Sequence, residues 1–290
     1  MDMREGFLET ANGKIWYAAY GEHLGKTPLL VLHGGPGFMS MSDGLEALWE
    51  ERPVYFYDQL GCGRSDRAAN KDFYSVENYI AELAEVRAGL NLPEVFLMGF
   101  SWGCALACAY VLKTQPPGIK GIVLSAPLLS SPAWDADQRR NIARMPVDVR
   151  KAIEEGEATA DFGEIYQTAM MAYYRKHVCL LSPWPATLST AFSGMSLDVY
   201  NTMWGPSEFT VTGKLKDFDL GPRLSEINQP VLLTCGDRDE ADVRTVKEFQ
   251  ERFPDARMAV IPQASHLHQL ERPQIYAAIV EDFLRDIECA

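Results

Sequence analysis

The segment Glu94-Val-Phe-Leu-Met-Gly-Phe-Ser101-Trp-Gly-Cys-Ala-Leu-Ala constrains this chain more than any other stretch. Four of its first five residues are apolar and suit a buried strand; the small residues after Gly103 suit a helix. Between them stands a Gly-x-Ser-x-Gly turn, the pattern in which a strained strand-to-helix elbow holds a serine hydroxyl clear of the backbone. Gly99 and Gly103 flank Ser101 because side chains there would collide where strand and helix approach. The five letters alone recur by chance in many proteins. The strand before them and the helix after them give them weight.

Other apolar runs share this setting: Leu29–Leu32, Val54–Tyr57, Ile122–Leu124, Val231–Thr234 and Met258–Ile261. Short continuous runs suit strands buried on both faces of a mostly parallel sheet. Helical patterns at Val76–Leu90, Trp102–Lys113, Val243–Arg252 and Gln274–Ile287 alternate with them, which predicts an α/β architecture with its chemistry at the carboxyl ends of the strands. Residues 5–20 alternate apolar and polar about Ala11-Asn12-Gly13-Lys14, an antiparallel hairpin with an Asn-Gly turn. From about Pro127 to about Pro222 the alternation stops, and helical stretches rich in Trp, Met, Tyr and Pro take over. This predicts a core of residues 1–126 and 223–290 with a mainly helical cap, 127–222, inserted between them.

Composition narrows the function classes. A formal net charge of -13 with no run of Lys or Arg argues against nucleic acid and against an anionic membrane surface. No stretch is long and apolar enough to span a bilayer, the N-terminus lacks a signal-peptide pattern, and six cysteines form no Cys-x-x-Cys pair. A cytoplasmic protein with reduced thiols is expected. The five histidines include no His-Glu-x-x-His, so no metal site is expected.

A serine hydroxyl needs a base, an oriented imidazole and donors for the developing oxyanion. Candidates for each follow predicted strands. After Val231–Thr234 comes Cys235-Gly-Asp-Arg-Asp-Glu240, with Asp239 favoured over Asp237 as the acid because it completes Gly-x-x-Asp. After Met258–Ile261 comes His266, favoured over His268 because it opens His-x-x-x-x-Glu-x-Pro. The chain order Ser101, Asp239, His266 is that of α/β-hydrolases. After Leu29–Leu32 comes His33-Gly-Gly-Pro-Gly37, a loop whose backbone can approach a bound carbonyl, and the N–H groups of Gly35 and Trp102 are the expected oxyanion donors.

These motifs, with Tyr57-Asp-Gln-Leu-Gly-Cys-Gly-Arg-Ser-Asp66 and Met203-Trp-Gly-Pro-Ser-Glu-Phe209, resemble the proline iminopeptidase (prolyl aminopeptidase) family and its tricorn-interacting-factor relatives. Phe100 departs from the small residue many relatives carry there. The resemblance implies an α/β-hydrolase fold with a helical cap. It implies a serine aminopeptidase that releases proline or another small or apolar N-terminal residue through an acyl-enzyme, with no cofactor. It further implies that Glu208 and Glu240 bind the free α-ammonium of short peptides or amino-acid amides. The rival readings are an amino-acid amidase or esterase on the same scaffold, and a non-catalytic ligand-binding homologue. Arg64 and Asp66 are expected to hold their loop by local polar contacts. The oligomeric state is not written in any pattern of the chain.

Overall fold

The computed structural model describes residues 3–289. In chain order the elements are β1 (Met3–Thr10), β2 (Gly13–Tyr20), β3 (Leu29–Leu32), α1 (Glu46–Trp49), β4 (Val54–Tyr57), α2 (Val76–Gly89), β5 (Val95–Phe100), α3 (Trp102–Thr114) and β6 (Ile119–Ser125). Five helices follow: α4 (Ser131–Ala143), α5 (Val147–Thr159), α6 (Glu164–His177), α7 (Ala186–Ser193) and α8 (Leu197–Met203). The chain then returns through β7 (Val231–Gly236), α9 (Val243–Gln250), β8 (Ala256–Ile261), α10 (His268–Glu271) and α11 (Pro273–Glu288).

All eight strands form one sheet in the order β1-β2-β4-β3-β5-β6-β7-β8. The β1–β2 and β2–β4 pairs are antiparallel; every later pair is parallel. Side chains alternate across the sheet, as strand geometry requires. On β3, Leu30 and Leu32 join the core beneath α2, α3 and α9, whereas Leu29 and Val31 face the core that α11 closes with Tyr276, Val280 and Phe283. Apolar residues on both faces explain the unbroken apolar runs of β3, β4 and β5. A third cluster, including Ile142, Ile153, Tyr166 and Tyr173, packs the helical insertion upon itself.

Two details differ from the sequence reading. The run Met258–Ile261 is not buried on both faces: β8 is the sheet's edge, and Val260 is 41% exposed. In the hairpin, Thr10 pairs with Gly13, so Ala11 and Asn12 fill the two loop positions and Gly13, at φ 144°, opens β2. The Asn-Gly pair therefore straddles the end of the loop. Among the described residues no helix is long and apolar enough to cross a membrane.

Candidate active site

Ser101 stands between β5 and α3 at φ 52° and ψ -115°, a conformation L-residues rarely adopt. Its amide donates to Ser125 O at 2.9 Å, and its carbonyl accepts from Cys104 N at 3.0 Å. The glycines beside it are sterically required. A Cβ at Gly103 would lie 2.1 Å from the Leu32 carbonyl oxygen, and one at Gly99 would lie 2.5 Å from Cys104 N. The helix therefore starts against the ends of β3 and β5, and the serine is lifted into a cavity.

The loop after β3 meets the elbow from the other side. A Cβ at Gly34 would lie 3.3 Å from Ser101 Cβ, and Gly35 has a φ of 115° that favours glycine. Trp102 is the first residue of α3, where an amide has no partner within its own helix. Its indole Nε1 donates to Gln59 Oε1 at 2.9 Å, and Gln59 in turn donates its backbone N–H to His33 Nε2 at 3.0 Å. Gln59 thus clamps the Gly-rich loop to the elbow. Burial pushes the His33 imidazole below its ordinary pKa, which keeps it a neutral acceptor in this clamp.

The Asp58–Arg64 pair holds the same region, with Arg64 Nε donating to Asp58 Oδ2 at 2.7 Å and its guanidinium stacked 3.2 Å from the Trp16 ring centroid. Asp66 reaches further than a local contact: its Oδ2 accepts from Lys14 N at 2.8 Å and ties the loop to β2.

The loop after β7 carries the acids. Asp239 is anchored at both oxygens, accepting from Ala241 N at 2.9 Å and from Gly236 N at 3.1 Å. Its Oδ1 also lies 2.9 Å from His266 Nδ1. Asp237 instead accepts from Ala264 N at 3.2 Å. His268 is completely buried; its Nε2 meets Thr234 Oγ1 at 2.9 Å, and burial lowers its pKa to about 4. His266 and Asp239 therefore form the pair, with Trp134 packed edge-on to the imidazole. Among the described hydrogen bonds none joins Ser101 Oγ to His266 Nε2; that nitrogen lies 3.6 Å from Glu240 Oε1.

Glu240 is buried, and its Oε2 has no hydrogen-bond partner. Glu208 comes from the insertion, just past α8, and Tyr200 on α8 donates to its Oε2 at 2.9 Å. Burial raises the pKa of both carboxyls; Tyr200 opposes this at Glu208, and His266 opposes it at Glu240. Ser101, Gly35, Glu208, Glu240 and His266 all line one cavity of about 390 Å³. The rest of its wall is mainly apolar and rich in methionine, with Met39, Met41, Met170, Met171 and Met195.

Three contributors escaped the sequence reading: Gln59, Tyr200 and Glu271. Glu271 Oε1 accepts from Ser265 Oγ at 2.7 Å, and its carboxylate also takes the Ser265 and Leu180 amides. Gln59 and Glu271 lie inside quoted motifs, but a motif does not say which distant group each one meets. Tyr200 lies outside every motif.

Comparison with known proteins agrees with this architecture. Residues 27–273 match the family described as the alpha/beta hydrolase fold. The chain is 42% identical over 287 residues to a proline iminopeptidase of Heyndrickxia coagulans, covering 98% of this chain and 99% of the relative. It belongs to the proline iminopeptidase family of α/β-hydrolases. Among solved structures, it is similar to VinJ, at 33% identity and a TM-score of 0.92 over 98% of this chain and 99% of that one. It is also similar to a proline iminopeptidase of Mycobacterium smegmatis, at 29% identity and a TM-score of 0.90 over 99% of both chains.

Proposed function

We propose that the protein is a serine aminopeptidase that removes proline or another small or apolar residue from the N-terminus of short peptides. The observation that carries this reading is the buried, unpartnered Oε2 of Glu240 in the cavity that Ser101 and His266 line. A buried carboxylate without a partner is costly, and an ammonium ion is the ligand that removes the cost. With Glu208 on the same cavity wall, two carboxylates would hold a substrate's α-ammonium and leave its first carbonyl beside Ser101. The methionine-rich wall supplies an apolar lining for the first side chain.

In this reading His266 takes the Ser101 proton as the hydroxyl attacks the first carbonyl. Asp239 fixes the imidazole tautomer through Nδ1 and stabilises its cation. The amides of Gly35 and Trp102 stabilise the oxyanion, His266 returns the proton to the leaving amine, and water releases the acyl group. Residues 127–222 act as a cap over a core of residues 1–126 and 223–290. An intracellular location suits peptide substrates of this kind.

A panel of prolyl, alanyl and leucyl naphthylamides, each with and without N-acetylation, tests the reading. Turnover confined to free amines and abolished in Ser101→Ala is the expected result. Equal turnover of acetylated compounds would sink the ammonium site, and turnover of simple amides but not naphthylamides would mark an amidase.

A further inference from the structure

The position of Glu240 bears on more than binding. Its Oε1 lies 3.6 Å from His266 Nε2, the nitrogen that must receive the Ser101 proton. Among the described residues no lysine or arginine lines the cavity, and burial keeps its other histidine, His33, below the ordinary pKa, so His266 is the side chain there that can balance the charge of Glu208 and Glu240. The titratable groups around His266 are Asp239 and Glu240 from the loop after β7, Glu208 from the insertion, His268 on α10 and His177 at the end of α6. Burial holds both neighbouring histidines neutral, with pKa values lowered to about 4. They do not contribute positive charge near neutral pH.

We propose that Glu240 gates the catalytic base: without substrate the Glu240 carboxylate holds a proton on His266 Nε2, and the substrate's α-ammonium expels that proton on binding. This inference rests on the aminopeptidase reading above. The charge balances, since one ammonium enters and one proton leaves to solvent. A proton on Nε2 leaves that nitrogen unable to accept from Ser101, and the Glu240 carboxylate 3.6 Å away holds it there. Burial disfavours an imidazolium, but Glu240 and then Asp239 outweigh it and raise the His266 pKa to about 9. At pH 7 about one molecule in a hundred would then carry a free base. A substrate without an amine would fill the cavity and find the base blocked. Discrimination would act on the chemical step as well as on binding.

The test uses a small neutral electrophile, diisopropyl fluorophosphate, whose reaction with Ser101 needs the base but no ammonium site. In the native protein the inactivation rate should rise with pH through a midpoint near 9. Pyrrolidinium, a cation with no carbonyl to attack, should accelerate inactivation at pH 7 by up to about a hundredfold, as its binding carries the base pKa from about 9 to well below 7. Glu240→Gln should lower the midpoint by about one unit or more and make the enzyme faster toward this reagent at pH 7. A Glu240 that only bound substrate would leave this neutral reaction unchanged. A native midpoint in the ordinary histidine range, or one that Glu240→Gln leaves in place, overturns the proposal. Calorimetry of pyrrolidinium binding to the native protein at pH 7, in buffers of different ionisation enthalpy, needs no variant. About one proton released per cation bound is expected, and binding without release, or no binding, overturns the gate. If free-amine naphthylamides are not hydrolysed, the aminopeptidase reading fails, whereas the inactivation midpoint still reports the proton on Nε2.

Discussion

The carboxylate of Glu271 binds both the backbone amide and the hydroxyl of Ser265, the residue that immediately precedes His266. A side chain on α10 therefore fixes the loop that presents the imidazole, and the same carboxylate takes the Leu180 amide from beyond α6. Glu271→Ala would leave buried donors without acceptors, at a cost of about 2–4 kcal/mol. It should lower the midpoint of chemical denaturation and reduce kcat about tenfold or more, because small displacements of a base are expensive. Glu271→Gln keeps one acceptor oxygen and should fall between the two. A Glu271→Ala protein with native kcat and native stability would show that the loop holds itself.

The elbow makes a sharper steric prediction. A Cβ at Gly103 would lie 2.1 Å from the Leu32 carbonyl oxygen, whereas nothing lies within 4 Å of one placed at Gly25. Gly103→Ala should destabilise the fold by about 3 kcal/mol or more. Gly25→Ala should be neutral or slightly stabilising by restricting the unfolded chain. Thermal denaturation of the two variants side by side checks the contrast, and similar midpoints would refute the tight strand–helix approach.

Tyr200 donates to Glu208 Oε2, and that bond opposes the burial that raises the Glu208 pKa. Removing the hydroxyl in Tyr200→Phe should weaken the carboxylate's hold on an ammonium. KM for free-amine naphthylamides is expected to rise about tenfold, the value of one charge-assisted hydrogen bond. Glu208→Gln should cost more than Tyr200→Phe. Diisopropyl fluorophosphate should still label Ser101 in both variants. Losses that extend to that neutral reagent would move Tyr200 and Glu208 out of the ammonium site.

Buried histidines make stability depend on pH in a defined direction. His268 is fully buried with a pKa lowered to about 4 against an ordinary 6.5. Below pH 6.5 the unfolded chain binds a proton at this position that the folded chain refuses until about pH 4. Stability is therefore lost as the pH falls through that window, by about 3 kcal/mol from this residue. His177 acts in the same sense, with burial lowering it to about 4. His266 has the opposite sign: its raised pKa gives stability that is complete below 6.5 and fades as the pH climbs through about 9. Urea midpoints at pH 7 and pH 5 should show a clear fall, and His268→Gln should flatten it. A slope that survives this substitution unchanged would exclude His268 as its source.

The sequence carries the parts of this molecule that depend on near neighbours along the chain. Apolar runs marked β3, β4, β5 and β7 because residues on both faces of those strands are buried. The Gly-x-Ser-x-Gly elbow is legible because a strand and a helix adjoin it in sequence and Gly99 meets the start of that helix, whereas the Leu32 carbonyl that excludes a Cβ at Gly103 comes from distant β3. The same reading made β8 a two-sided buried strand, because apolar residues do not say which strand lies at the edge. Ser101, Asp239 and His266 could be selected by position after a strand, whereas Glu208 and Glu240 were reached only through a family resemblance.

What the chain alone determined is the order of strand, turn and helix, and the residue types that arrive at the carboxyl ends of the strands. Only the tertiary structure decided which of those groups share a low-dielectric space. Glu240 and His266 lie on separate strand-end loops, yet folding sets Oε1 3.6 Å from Nε2 and leaves Oε2 buried without a partner. Charges interact strongly once water is removed, and water is removed by residues from distant parts of the chain. The proposed nucleophile can therefore be recognised from a short local pattern. The state of the histidine proposed as its base depends on how the whole molecule packs around it.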